Sequence, residues 1–398
     1  MMYNTNEVIC CFLERLKCKK ETILYLLLTV ETTKTAEDEY SRCLKYLQNI
    51  EGLQREYIID EITGVGCSYL PLNQPLYSFV LSVFTLSLSC EKVYYRPPKQ
   101  LWELHRSLFD CIKDILPNIY ICTVSRKVFF EQHVQSSDIV VYTGRYDNVL
   151  DLRKLLRDDS LLVYNGSALN PIIVTKSADI LYSANSVVNA RLYNSGQDCM
   201  APAAIFVYDD ISEIFIKTIN EELCKMKDAS GEWNKSLIGP MISEKCYNED
   251  MDFLNKYGEN VVSGGETSDG LMISPTVFLF DGYRGEQQEI LYAPFFCIYK
   301  YNDYIEILRY LNTDKAKCFQ GYISVFADSY DMSIFLSTIR EIDNLIILKN
   351  VTLLEYEDGN VEFGGYGEGC SFVYANGKVD IHPILLLREV FNWRKKNC

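Results

Sequence analysis

Short runs rich in β-branched and aromatic residues (57–62, 92–95, 119–124, 139–143, 161–164) alternate with helical stretches at 76–88, 99–115, 126–136 and 147–157. That alternation limits the fold more than any other feature. Adjacent parallel strands need a crossover of a dozen or more residues, so strand, helix, strand at this spacing predicts βαβ units and a mostly parallel sheet. A second series follows, with strands at 172–174, 205–208, 277–280, 296–301, 322–326 and 344–348 and helices at 179–192, 211–226, 243–257, 302–312 and 331–340. Composition does not change between the two series and no low-complexity linker divides them, which predicts two interleaved α/β domains. Ahead of both, 6–29 and 37–50 read as amphipathic helices. Leu13, Leu16, Ile23, Leu24 and Leu27 recur at helical spacing, and Thr35 or Asp38 suits the start of the second helix.

Composition removes several functions. With 39 Lys and Arg against 54 Asp and Glu, the formal net charge is −15, and no basic cluster stands out. A nucleic-acid backbone or an anionic membrane surface would repel such a chain. The longest apolar runs, 23–30 and 77–88, fall short of the ~20 residues a spanning helix needs, and no secretory leader is visible at the start. The fifteen cysteines contain no CxxC pair and only three histidines accompany them (His105, His133, His382), so no metal site is expected. A cytoplasmic protein with reduced thiols, most of them packing as small apolar residues, is the expectation.

Two segments carry chemistry. The stretch 363–369 (FGGYGEG) is the most glycine-rich and reads as a loop needing positive φ, or as a weak phosphate loop. In Asn194-Ser195-Gly196-Gln197-Asp198-Cys199-Met200-Ala201-Pro202 a thiol follows a glycine break and precedes an apolar strand. Backbone N–H groups in such a turn can stabilise both a thiolate and an oxyanion. Taken alone, Cys199 is either such a nucleophile or one more buried cysteine.

The order of several blocks resembles the aldehyde dehydrogenase superfamily, most closely its class 3 and fatty aldehyde branch, in a divergent form with a shortened N-terminal region. Gly196–Pro202 is similar to the family's Gly-Gln-x-Cys-x-Ala-Pro. Leu70–Leu76 (LPLNQPL) resembles Pro-Trp-Asn-x-Pro, with Leu72 at the Trp. Tyr94–Pro98 (YYRPP) stands at Lys-Pro-Ser, Tyr142-Thr143-Gly144 at Phe-Thr-Gly, and Asn165–Val174 at Glu-Leu-Gly-Gly-Lys-x-Pro. Ile238–Ile242, Gly264-Gly265-Glu266, Ser274–Val277, Glu289 with Ala293-Pro294, and Phe363-Gly364-Gly365 follow in order, and Tyr374–Asp380 is similar to the branch's Tyr-His-Gly-Lys segment.

The resemblance implies an α/β fold with a Rossmann-type cofactor-binding domain, an α/β catalytic domain and a small β oligomerisation element. Mapped here, these are 1–170 (with an oligomerisation strand near 56–62), 171–362 and 363–398. It implies oxidation of an aldehyde to the acid with NAD or NADP, through a thiohemiacetal and a thioester on Cys199, in a homodimer. Asn73 would be an oxyanion donor, or an ordinary turn residue. Arg96, Gly144, Arg145 and Glu289 would line the cofactor, Arg145 either pairing with a phosphate or filling its place. Phe363 would line the substrate tunnel. Asn165 stands where the family has its general-base Glu, and no Asp or Glu lies between Asp159 and Asp179. An amide cannot take a proton from water, so a catalytically degenerate scaffold and an acylating or esterase variant are the alternatives.

Overall fold

The computed structural model describes residues 5–57, 62, 64–228, 230–285 and 289–397. The chain opens with α1 (Thr5–Cys18), α2 (Lys20–Leu27) and α3 (Thr33–Glu56). The first expected helix is therefore two, broken at Lys19, whose φ of −104° departs from helical geometry. α3 starts earlier and ends later than predicted. Its cap is Thr32, not Thr35 or Asp38, and the Thr32 hydroxyl accepts the Thr35 N–H. Ile9, Phe12 and Leu16 of α1, Ile23 and Leu27 of α2, and Tyr40, Leu47 and Ile50 of α3 share one core.

Then come β1 (Val65–Tyr69), α4 (Pro75–Phe79), a π turn (Val80–Phe84), α5 (Thr85–Ser87), β2 (Lys92–Arg96), α6 (Trp102–Asp110), β3 (Ile119–Ile121), α7 (Arg126–Gln132), β4 (Ile139–Thr143), α8 (Tyr146–Arg153) and β5 (Leu161–Asn165). The widened turn arises because Thr85 donates both its N–H and its hydroxyl to the Val80 carbonyl. The second series holds β6 (Ile172–Val174), α9 (Ile180–Leu192), β7 (Ile205–Tyr208), α10 (Asp209–Cys224), α11 (Glu244–Lys256), β8 (Val261–Ser263), β9 (Thr267–Ser268), β10 (Met272–Ile273), β11 (Thr276–Phe280) and β12 (Phe295–Tyr301). It continues with α12 (Tyr304–Leu311), α13 (Asp314–Cys318), β13 (Tyr322–Phe326), α14 (Ser329–Ile339), β14 (Ile346–Lys349) and α15 (Leu353–Tyr356). β15 (Ser371–Ala375), β16 (Lys378–Asp380) and α16 (Leu386–Asn397) close the chain.

β1 was not expected. Gly66 and Ser68 dilute its apolar pattern, yet a Cβ at Gly66 would come within 2.7 Å of Leu86, so the glycine is what lets the strand pack. The strand expected at 57–62 lies largely outside the described residues, and its near end follows directly on α3. The strand expected at 119–124 stops at Ile121, and the helix at 99–115 becomes turns after Asp110.

The chain forms two compact units: Met1–Gly166 with Asp358–Gly364 and Ser371–Cys398, and Ser167–Glu357 with Gly365–Cys370. The first holds a seven-stranded sheet ordered β16-β15-β5-β4-β1-β2-β3, with β5 to β3 parallel and β15 and β16 antiparallel. β15 lies antiparallel on β5, with Ser371 opposite Asn165. Alternate residues of β4 feed opposite cores: Ile139 and Val141 face the core of α1 to α6, Val140 and Tyr142 the core of α7 and α8. The second unit holds β14-β13-β6-β7-β12-β11-β8, antiparallel only at β8. β12 alternates in the same way, Phe295, Cys297 and Tyr299 against Phe296 and Ile298. Both faces of each parallel sheet are covered, which is why their strands read as nearly continuous apolar runs.

The FGGYGEG glycines serve space more than conformation. Only Gly364 has positive φ, at 109°. A Cβ at Gly365 would lie 2.1 Å from the Gln320 carbonyl oxygen, and one at Gly367 2.4 Å from that of Cys318.

Candidate active site

In the second unit, Cys199 sits between α9 and β7, at the amino edge of the sheet. Asn194, Ser195 and Gly196 take φ of 47°, 56° and 85° in succession, a left-handed passage that reverses the chain. At Gly196 a Cβ would lie 2.6 Å from the Ala293 oxygen. Neighbouring segments then fix the loop. The Ser195 hydroxyl accepts the Gly239 N–H at 2.8 Å, and Gln197 accepts the Ile242 N–H at 2.7 Å while donating to the Pro240 carbonyl at 3.1 Å. Asn170 donates to the Cys199 carbonyl at 2.9 Å and accepts the Tyr322 N–H at 3.2 Å. Beneath, the buried Arg191 donates to the carbonyls of Pro202 (3.2 Å), Leu291 (2.8 Å) and Ala293. The Ile238–Ile242 and Ala293-Pro294 blocks of the sequence are thus the braces of the thiol loop.

Cys199 is partly exposed. Burial of its sulfur, then the charges of Asp198 and Glu357, push the thiol well above its ordinary range, against backbone N–H groups of Cys199 and Met200 that favour the thiolate. Glu357, only 4% exposed, is a carboxyl that sequence reasoning missed, because it lies far along the chain and in no motif. Glu289 is exposed and pairs with Lys315 at 2.5 Å.

In the first unit, β1 and β4 are neighbours although β2 and β3 run one way from β1 and β5 the other. That reversal opens a crevice at the carboxyl ends of β1 and β4, where α/β sheets take ligands. Asn73 lies in the turn after β1, Arg96 ends β2, and Gly144 and Arg145 follow β4. Asn165 ends β5 beside them, its carbonyl accepting the Gly144 N–H at 3.0 Å. Arg145 is exposed and stands at the α8 N-cap, where its side chain makes no capping bond to the first-turn N–H groups. The Arg126 guanidinium lies 6.0 Å and 5.5 Å from the ring centres of Tyr69 and Tyr142. Arg96 donates to the Val124 carbonyl at 2.9 Å, and burial lowers its pKa. The Tyr69 hydroxyl is buried without a hydrogen-bond partner. Two guanidinium groups, a phenol and the start of α8 form a donor set that fits a phosphate-bearing cofactor. Phe363 bridges Ile384 through paired backbone bonds of 2.9 and 2.7 Å.

The structure therefore gathers Asn73, Arg96, Gly144, Arg145 and Asn165 on one sheet edge of the first unit, while Cys199 and Glu289 belong to the second. Among the described residues no helix is long and apolar enough to cross a membrane, and no cluster of His, Cys, Asp and Glu could hold a metal.

Residues 138–374 match the model of the aldehyde dehydrogenase family. The chain is 28% identical over 199 residues to a lactaldehyde dehydrogenase of Methanococcus maripaludis, covering 49% of this chain and 41% of that one. It is 29% identical over 146 residues to a 1-pyrroline-5-carboxylate dehydrogenase of Anoxybacillus flavithermus, covering 35% and 28%. These matches span less than half the length of the curated relatives. The fold is similar to that of a succinic semialdehyde dehydrogenase of Streptococcus pyogenes, solved with NADP+, at TM-score 0.80 and 15% identity over 96% of this chain and 90% of that one. Because the family match takes in more than half of the residues, from the last strands of the first sheet through the whole thiol-bearing unit, the chain belongs to the aldehyde dehydrogenase family.

Proposed function

We propose that the chain oxidises an aldehyde through a covalent adduct on Cys199, with NAD or NADP as cofactor. The observation that carries this is the Cys199 loop, braced on all sides so that a single thiol meets two backbone N–H groups. The resemblance supplies the roles. Cys199 attacks the aldehyde carbon, and the oxyanion is held by the Cys199 N–H and the Asn73 amide. Arg96, Arg126, Tyr69 and the start of α8 would hold the phosphates, with Gly144 and Arg145 at that start and Glu289 toward the ribose. When bound, NAD or NADP supplies the oxidant. Phe363 lines the aldehyde's path, and a cytoplasmic homodimer of the class 3 kind is the setting of this reading.

Asn165 favours a second reading of the last step. A positioned base is worth roughly 10²–10⁴ in rate, and Asn165 cannot act as one. Release of the acyl group is then slow, passes to an acceptor other than water, or does not occur, leaving a scaffold that binds without turnover.

Calorimetry with NAD and NADP, followed by aldehyde-dependent formation of the reduced cofactor, tests the reading. Binding and turnover are expected, with Cys199→Ala abolishing turnover and keeping the binding. Absence of heat at millimolar cofactor overturns it.

A further inference from the structure

The helix that follows Asn73 begins without a cap of its own. Pro75 at its first position has no N–H, and its N-cap Gln74, held at φ 50°, makes no side-chain capping bond. The next two N–H groups would be buried orphans. They are met instead from another helix: Glu39 of α3, fully buried, accepts the Tyr77 N–H at 2.7 Å, and the Leu76 N–H also points to its carboxyl. The other oxygen, Oε2, is buried and has no partner among the plain donors around it. The carboxyl of Glu31, itself 8% exposed and in the residue before the α3 cap, lies within hydrogen-bonding reach of the Glu39 side chain.

Among the described residues, three elements supply groups around this pair. From α3 come Asp38, which is paired with Arg42 at 2.6 Å, and the buried Cys43 thiol; from the α2–α3 connection comes Glu31 itself; from α4 come backbone N–H groups. Two carboxylates facing each other away from water repel strongly, and one proton between them turns the repulsion into a hydrogen bond. Burial pushes the Glu39 carboxyl up, while Glu31 and the α4 N–H groups pull it down.

We propose that Glu31 and Glu39 share a single proton, and that the pair in this state is the cap that positions the Asn73 turn. The carboxylate half accepts from the helix start, where negative charge is favoured, and the acid half satisfies its neighbour. Loss of the shared proton sets two buried anions against each other and loosens the turn. The tie to catalysis rests on the oxyanion role proposed for Asn73; the proton sharing and the capping do not.

The sign follows from linkage. The native pair keeps a proton that the unfolded chain releases near the ordinary carboxylate value of 4.5, so wild-type stability falls as pH rises from there until the native proton is lost. Glu39→Gln keeps the acceptor for Tyr77 and donates permanently to Glu31. The melting temperature of Glu39→Gln minus that of wild type should therefore grow by roughly 3–6 °C between pH 4.5 and 8.5. A constant difference overturns proton sharing. Hydrogen exchange of residues 70–79, corrected for intrinsic rate, should lose protection with rising pH in wild type and not in Glu39→Gln. Equal profiles overturn the positioning. If turnover is found, the high-pH limb of kcat should move outward in Glu39→Gln with KM kept. A chain without turnover fails the function proposed above while the first two measurements still decide this one.

Discussion

The Cys199 sulfur lies under opposing influences that can be separated by substitution. Two backbone N–H groups draw it toward the thiolate, and burial together with Asp198 and Glu357 holds the proton on. Asp198 also closes the turn by accepting the Met200 N–H at 2.8 Å, so its removal would disturb the loop. Glu357 is the cleaner probe of charge. Glu357→Gln should lower the Cys199 pKa and speed its alkylation by iodoacetamide at pH 8 on the order of threefold to tenfold. An unchanged rate, in a variant that melts as wild type does, would show that this carboxylate does not govern the thiol. The turn that carries Cys199 and Gln197 was legible in the sequence, because the glycine break and the polar run are local. Glu357 and Glu39 were not, since each acts on a segment far along the chain and no periodicity links them to it.

At the scale of elements, strands were legible where parallel pairing buries both faces, as at β4, β7 and β12, whose residues are apolar almost throughout. β1 was hidden because its glycine answers to a neighbouring helix rather than to the strand. The FGGYGEG loop was found, but the reason for its glycines was not, since the surface they approach, Cys318–Gly321, is set by tertiary packing. That surface makes a sharp prediction. Gly365→Ala would drive a Cβ onto a backbone carbonyl that has no rotamer to escape into, and should destabilise by about 2–3 kcal/mol or more in urea unfolding. Gly52→Ala, where α3 leaves open space, should be neutral or stabilise by about 0.5–1 kcal/mol. A Gly365→Ala loss no larger than the Gly52→Ala change would mean that the loop is not held against this backbone.

At the scale of the molecule, neither unit is one continuous stretch of chain. The first is finished only by residues 358–364 and 371–398, which add β15 beside β5 and send Leu387 and Val390 into the helical core. A chain ended after Cys370 should lose the cooperative melting of the first unit and most of its soluble yield; retention of the wild-type melting temperature would contradict this. The two-series pattern of the sequence made the pair of sheets readable. The return of the chain was less so, because a late strand carries no mark of which earlier strand it will join.

This threading also orders events during synthesis. β5 leaves the ribosome early, but the strand that covers its outer edge is made only after the entire second unit. Until then the nascent chain presents an open row of backbone donors and acceptors on a strongly apolar strand, a template for pairing with other chains. Completion of the first sheet is thereby deferred until after the second series, and any fragment that stops within that series carries that sticky border permanently.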